Sequence, residues 1–362
     1  MNIFENKNFD NHEQIIFCQE PKCSLQAIIA VHDTRLGPAI GGCRMYPYAT
    51  IEDAIDDVLK LSRGMTYKSA INNFNFGGGK AVIIGDPIKF KSEAMFRTFG
   101  RFVDGLNGRY ITAEDLGTDV KCMEWVRIET KHVVGLPTYI GGLGDPSPVT
   151  AHGVLIGIKA CLKNTTGNEN LKDVQVAIQG VGHVGYYLCK ELHEQGAKLY
   201  VSDINKSVLK NVSDEFKVTV IDPDEIYGLN VDIFAPCALG GIINDDTIPQ
   251  LKCSIVAGAA NNPLMNEEKH GIALHQRNIL YAPDYIINAG GLIDAASEFF
   301  HAGKALAWAK TEEIYDTLMQ VFNYAKENDT SPVLAAKQLA ELRINAIKHS
   351  QNVYTRRGKS RR

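Results

Sequence analysis

VQVAIQGVGHVGYYLCKELHEQGAKLYVSDIN, residues 174–205, opens on an apolar run of strand length, Val174 to Ile178. Gly180, Gly182 and Gly185 follow in the spacing G-x-G-x-x-G, and Val184, Leu188 and Leu192 then recur at helical spacing. Gly196 stops that helix, Leu199 to Val201 reads as a second strand, and Asp203 stands at its end. Each glycine has a mechanical task. The first permits a tight turn, the second lets a pyrophosphate reach the backbone, and the third lets helix and strand pack closely. The turn Gly180, Val181, Gly182, His183, Val184, Gly185 leads into a helix N-terminus, where unpaired N–H groups and the positive dipole end favour phosphate. A carboxylate about 18 residues beyond the last glycine accepts the ribose hydroxyls of an adenosine and repels a 2′-phosphate. Lys206 and Lys210 lie just past it and soften that repulsion. A lone G-x-G-x-x-G is weak evidence, but set after a strand, before a helix and with the acid in place it predicts a dinucleotide site.

Strand-like runs continue outward from this motif at 174–179, 198–202, 217–221, 231–235, 254–257 and 279–281. The first of them are separated by helices, which fits a doubly wound parallel sheet, the Rossmann arrangement. Just upstream, GGLGDPSP (141–148) is rich in turn formers and reads as a hinge. After it, VTAHGVLIGIKACLK reads as a helix burying Val154, Leu155, Ile158, Cys161 and Leu162. Downstream, Thr311 to Lys326 places Ile314, Leu318, Val321, Phe322 and Ala325 on one helical face, and Pro332 to His349 forms a last helix.

The first half alternates strands and helices. LQAIIAV (25–31) reads as a strand, and Thr50 with Asp53 begins a helix bearing Ile55, Val58, Leu59 and Ser62 on one face. KSAINNF (68–74) and AVIIG (81–85) read as strands flanking an NFGGGK turn. Ser92 caps a helix with Met95, Phe99, Phe102, Val103 and Leu106 in one stripe. GRYITAEDLGT (108–118) reads as a strand that leaves polar residues at its end, the usual place for site residues in an open α/β sheet. The expected fold is α/β. An N-terminal α/β substrate domain, 1–148, is completed by the C-terminal helix 332–350; a Rossmann domain spans 149–331, with the cleft between the two; a basic tail, 351–362, is solvated.

A chain of 362 residues suits two domains, and its 45% apolar and 22% charged fractions are ordinary for a soluble globular protein. A net charge of −4 gives no reason to expect nucleic acid or an anionic membrane as partner. No run has the length of a membrane span, and the acidic start MNIFENKNFDNHE is no signal peptide. The eight cysteines form no C-x-x-C, and no His/Cys pair has zinc-ligand spacing, so no metal site and a reduced, cytoplasmic protein are expected.

GGGK at 77–80 is not a Walker loop, because Phe74 stands where a glycine is needed and Ala81 where Ser or Thr is needed. It means close backbone approach beside one amine. Lys68 lies upstream in the preceding segment, so two amines could face one cleft. Ammonium groups held together weaken each other's grip on the proton, which lets one act as a base while the other grips a carboxylate.

Several long segments carry a resemblance: HDTRLGPAIGG (32–42), LSRGMTYK (61–68), GGGKAVIIGDP (77–87), GRYITAEDLGT (108–118), IFAPCALGGIIN (233–244), VAGAANN (256–262) and YAPDYIINAGG (281–291). With them the chain resembles the family of glutamate, leucine, phenylalanine and valine dehydrogenases, most of all its leucine branch, from about Leu25 to the C-terminal helix. The resemblance implies an NAD-dependent oxidoreductase that reversibly deaminates a branched-chain L-amino acid to its 2-oxo acid and ammonium. It also implies a homo-oligomer, an octamer. By the same resemblance Lys80 is the catalytic base and Asp115 exchanges protons with the substrate amine. Lys68 binds the substrate carboxylate, helped by backbone at Gly41 and Gly42. Asn261 or Asn262 lies near the amine and nicotinamide, and Thr150, Ala238 and Asn288 line the nicotinamide side. Ile40, Ala113, Leu292 and Ala295 fall at the side-chain pocket positions. Asp294, in GGLIDAAS, and HAGK (301–304) depart from the family's usual text. Two rivals stand beside this reading: an aromatic (Phe or Trp) amino-acid dehydrogenase of the same family, and a catalytically idle NAD-binding protein. Keeping Lys68, Lys80 and Asp115 together argues against the second.

Overall fold

The computed structural model describes residues 2–350, with side chains for 2–347; the basic tail 351–362 lies outside the described residues. Two compact units emerge. The first takes residues up to 118, 129–132 and 338 onward, and the second takes 119–128 and 133–337, so the 141–148 stretch lies inside the second.

In the first unit, β1 (Gln14–Glu20), β2 (Leu25–Asp33), β3 (Ala39–Tyr46), β4 (Gly77–Ile84) and β5 (Tyr110–Glu114) form a 5-stranded sheet in the order β1-β2-β4-β3-β5. The β1–β2 and β2–β4 pairs are antiparallel, and β4–β3 and β3–β5 are parallel. Helix α1 (Ile51–Ile71) starts at a complete Thr50/Asp53 capping box. Its Ala54, Ile55, Val58 and Leu59 pack on Ile28, Ala30 and Val82 of the sheet. Each large aliphatic side chain so buried contributes roughly 1.5–3 kcal/mol. Helix α2 (Glu93–Asp104) is capped by Ser92, whose hydroxyl accepts the Met95 N–H.

Two expectations fail here. Residues 68–71 are the last turn of α1, not a strand; the helix buries Thr66, Ser69, Ala70 and Ile71 and stops at Asn72, before Asn73 at φ 59°. GGGK is not a turn but the start of the central strand β4. Its glycines are there for thickness. A Cβ on Gly77 would lie 1.9 Å from the Asp33 carbonyl, on Gly78 2.1 Å from Thr66 Oγ1, and on Gly79 2.7 Å from the Tyr110 ring. Strands β1 and β3 went unassigned in the sequence because neither alternates cleanly; β3 carries Gly41 and Gly42 in mid-strand.

Helix α3 (Val120–Glu129) follows β5, and α4 (Ser147–Thr166) leads into the second sheet. That sheet is built from β6 (Gln175–Gln179), α5 (His183–Glu194), β7 (Lys198–Ser202), α6 (Lys206–Phe216), β8 (Thr219–Val220), β9 (Ile233–Pro236), β10 (Ile255–Val256), α7 (Glu267–Gln276) and β11 (Leu280–Tyr281). All six strands are parallel, in the order β11-β10-β9-β6-β7-β8. The chain therefore reverses its winding between β6 and β9, the switch point where such sheets open a ligand crevice. Each strand-like run expected in this half is a strand. Helices α8 (Asp284–Ile287), α9 (Gly290–Phe299) and α10 (Gly303–Glu327) follow, α10 starting a little over two turns before the periodicity suggested. Helix α11 (Pro332–Ser350) begins in the second unit and from Gln338 belongs to the first. There the Tyr67 hydroxyl donates to Glu341 (3.1 Å), and Arg343 donates to the carbonyls of Ala70 and Phe74. All eight cysteines are free. Among the described residues no helix is long and apolar enough to cross a membrane.

Candidate active site

In the first unit the parallel strands β3, β4 and β5 bring the chemistry together. Lys80 faces inward from β4, with 7% of its side chain exposed, and its Nζ lies 3.0 Å from Asp115 Oδ2. Asp115 follows β5, where the turn 115–118 folds back over β3. Thr118 Oγ1 accepts the Asp115 N–H and donates to the Cys43 carbonyl, and the Met45 N–H donates to the Leu116 carbonyl. Gly117 makes that turn possible: it sits at φ +79°, and a Cβ would lie 1.9 Å from the Met45 carbonyl. Gly42 lets the acid approach, since a Cβ there would come within 2.8 Å of Asp115 Cβ. Burial pushes the Asp115 carboxyl up, but Lys80 and Arg44 outweigh it and hold it at about 2.

Gly41 sits beside α1: a Cβ on it would lie 3.2 Å from Met65 Cγ and 1.8 Å from the Gly79 carbonyl. Lys68 is three residues beyond Met65, on the same face of α1. The Tyr110 hydroxyl donates to the Gly41 carbonyl (2.7 Å) from beneath. Lys80, Asp115, Gly41 and Gly42 thus lie close together on the parallel strands, and Lys68 stands on α1 one turn beyond Met65. Lys68 itself lies in the last turn of α1 rather than at the strand start expected. Ile40, 1% exposed, and half-buried Ala113 flank the same strands.

In the second unit a different group converges at the switch point. Gly180, at φ +95°, packs against Ala238 beyond β9; a Cβ on it would lie 2.6 Å from the Ala238 Cβ. Gly185 presses on the Gly180 carbonyl, where a Cβ would come within 2.1 Å. Around a Cβ placed on Gly182, in contrast, there is nothing within 4 Å, and Gly182 and His183 are exposed at the start of α5. Two packing glycines with an open one between them leave room for a pyrophosphate against the backbone, so the residues fit a dinucleotide. Asp203 follows β7, its Oδ2 accepting the Val181 N–H and its Oδ1 the Asn205 N–H, both at 2.8 Å. The carboxylate is therefore tied to the glycine turn itself.

The same edge gathers the remaining residues. The Asn288 amide donates to Asn261 Oδ1 (2.8 Å) and to the Ala259 carbonyl (3.2 Å). Asn262 is instead a turn residue, at φ 48° with its N–H donated to Asp284 Oδ2. Thr150 is held by the Pro146 carbonyl at the start of α4, and Gly290 of α9 lies so close that a Cβ would meet Thr150 Cα at 2.4 Å. Leu292, 5% exposed, and half-buried Ala295 are further along α9. Among the described residues no group of His, Cys, Asp or Glu could hold a metal ion.

One residue at the site escaped the sequence reading. Arg44, on β3, donates from Nε to Asp115 Oδ2 (2.9 Å) and from Nη1 to Asp57 Oδ2 (2.9 Å) on α1. The signal was there: a single charge inside AIGGCRMY, a strand whose other residues are buried from Ala39 to Met45.

Residues 12–132 match the model of the Glu/Leu/Phe/Val dehydrogenase dimerisation domain, and residues 141–211 and 200–351 match that of glutamate/leucine/phenylalanine/valine dehydrogenase. The chain is 51% identical over 358 residues to leucine dehydrogenase of Geobacillus stearothermophilus, covering 99% of this chain and 97% of that one. It is 48% identical to phenylalanine dehydrogenase of Bacillus thermotolerans, over 98% of this chain and 93% of the other. The crystal structure of L-tryptophan dehydrogenase from Nostoc punctiforme superposes with a TM-score of 0.82 at 47% identity, over 93% of this chain and 97% of that one.

Proposed function

The chain belongs to the glutamate/leucine/phenylalanine/valine dehydrogenase family and is an amino-acid dehydrogenase using a nicotinamide cofactor, and from that premise we propose NAD-dependent, reversible oxidative deamination of a branched-chain, leucine-type L-amino acid to its 2-oxo acid and ammonium. The observation that carries the mechanism is the 3.0 Å contact between Lys80 and Asp115 beside Gly41 and Gly42.

Lys68 holds the substrate carboxylate against the Gly41–Gly42 backbone, and Asp115 accepts and returns the proton of the amine. Lys80, inward-facing and sheltered from bulk water, removes a proton from the water that attacks the imino carbon. The bound cofactor supplies the acceptor for the Cα hydride. Gly180 to Gly185 would hold its pyrophosphate, Asp203 would take the ribose hydroxyls and set the preference for NAD, and Thr150, Ala238, Asn261 and Asn288 would line the nicotinamide side. Ile40, Ala113, Leu292 and Ala295 contact the substrate side chain. Being uncharged, they leave a second carboxylate such as that of glutamate desolvated and unpaired. In these terms the catalytic part is 1–148 with helix 332–350, and the cofactor part is 149–331. We read the protein as a cytoplasmic homo-oligomer, an octamer.

A second reading, an aromatic amino-acid dehydrogenase, draws on small Ala113 and Ala295 and on the phenylalanine- and tryptophan-dehydrogenase relatives. Ile40 and Leu292 argue against it by filling the volume a ring needs. NADH formation at alkaline pH with Leu, Ile, Val, Phe, Trp and Glu decides between them. Val, one methylene smaller than Leu and Ile, should differ from them by roughly tenfold, and Glu should be nearly inert. A kcat/KM for Phe or Trp above that for Leu overturns the branched-chain reading. Equal kcat/KM with NAD and NADP removes the role given to Asp203.

A further inference from the structure

Lys80 and Asp115 face each other as an ion pair, yet the chemistry proposed above needs Lys80 to lose its proton and Asp115 to keep a free lone pair. Both demands are hard to meet in an isolated pair. An anion beside an ammonium tightens the ammonium's grip on its proton, and a buried carboxylate that loses its cation tends to protonate. A third group changes this. Arg44 Nε donates to the same Oδ2 that Lys80 contacts, at 2.9 Å, and its Nη1 is anchored 2.9 Å from Asp57 Oδ2. The Tyr48 hydroxyl donates to Asp57 Oδ2 at 2.5 Å, which fixes the anchor in turn. Asp115 thereby meets both cations on one oxygen, while Oδ1 has no hydrogen-bond partner among the described residues.

We propose that Arg44 is a positioning residue for the reaction: a permanently charged counter-ion that holds Asp115 by Oδ2 and neutralises it, so that Lys80 can release and regain a proton while Oδ1 faces the substrate amine. The inference rests on the roles given to Lys80 and Asp115 above. A guanidinium suits the task because it stays charged at any working pH and its fork reaches two carboxylates at once, which a single ammonium does less well. The charged and titratable groups around Asp115 are Lys80 on β4, Arg44 on β3 and Tyr110 on β5, with Asp57 on α1 and Tyr48 after β3 behind Arg44. Lys68 is assigned to the substrate carboxylate, so Arg44 is the cation in contact with Asp115 that takes no part in proton exchange.

The test compares Asp115→Asn, Arg44→Met and Arg44→Lys in the full chain, with folding checked by circular dichroism and the thermal midpoint. Kinetics follow leucine deamination across pH. Asp115→Asn should lower kcat by roughly 10²–10⁴-fold; near-normal activity there would sink the underlying assignment rather than the role of Arg44. With that assignment intact, Arg44→Met should lower kcat by roughly 10–100-fold with KM for leucine little changed, because Lys68 still holds the carboxylate. The limb on which the rate rises with pH should move up by about one pH unit. A merely structural arginine would leave that limb in place. Arg44→Lys should fall between wild type and Arg44→Met, and it carries the test if Arg44→Met does not fold. Wild-type kcat and an unmoved limb in whichever folded variant is measured overturn the proposal.

Discussion

Asp294 illustrates how a single residue's environment becomes a measurable quantity. It lies on α9, 4% exposed, and its Oδ1 is buried without a hydrogen-bond partner. Burial pushes its carboxyl up to about 6; Lys304 opposes this, and Glu298 and Asp145 add to it. Glu298 is committed elsewhere, accepting the N–H groups of Leu136 and Leu143. A carboxyl whose folded pKa exceeds its unfolded one favours the fold fully only below the unfolded value, near 3.9. That support is then lost as pH rises through about 6. At pH 7.5 and above the ionised group therefore destabilises the second unit, by at most about 3 kcal/mol. Asp294→Asn keeps the shape and drops the charge. Its thermal midpoint should exceed that of the wild type at pH 8 and match it near pH 4. An equal midpoint at both values would mean that Asp294 ionises without cost.

Helix α4 shows the competition between propensity and packing. Its Gly153 and Gly157 are poor helix formers, and replacing glycine by alanine in a helix normally gains up to about 1 kcal/mol. Here they let α8 and α10 close in. A Cβ on Gly157 would lie 2.4 Å from Ile287 Cγ1 and 3.0 Å from Leu318 Cδ1, and both partners are fully buried. Ile287 is β-branched and stiff, so relief requires backbone movement, at roughly 1–3 kcal/mol. The same helix is tied laterally by His152, which lies 2.9 Å from Glu191 on α5 and 2.7 Å from Glu312 on α10. Packing should win over propensity. We expect Gly157→Ala to lower the urea midpoint of the intact protein, for a net loss of roughly 1–2 kcal/mol. A raised midpoint would show that Ile287 escapes by changing rotamer.

On the scale of the whole molecule, the 5-stranded sheet leaves β1 paired on one side only. An unpaired edge invites other strands unless it is covered. Phe17 on that strand is 59% exposed, and β1 lies within the segment that matches a dimerisation domain. The full chain should therefore sediment well above the mass of one chain. Proline at Phe17, which removes a backbone donor and stiffens the edge, should shift the distribution toward smaller species. A monomer at micromolar concentration in the unmodified protein would contradict the homo-oligomer reading.

By itself the sequence determined what depends on near neighbours. The glycine turn at 180–185, the six parallel strands and the Thr50 capping box were legible because turn chemistry, side-chain period and helix caps act over a few residues. Lys68, Lys80 and Asp115 were singled out, but as residues and not as a geometry. Local reading failed at 68–80, where a helix end was taken for a strand and a strand for a turn. Three consecutive glycines look like loop text, and only the close approach of Thr66 and Tyr110 explains them as the middle of a sheet. The contact of Arg44 with Asp115, 71 residues away, was beyond any pattern. So was the bond from the Asn288 amide to Asn261 Oδ1, 27 residues apart. Such contacts arise when distant strands are set side by side, and their strength depends on distances and burial that a linear order of residues does not carry.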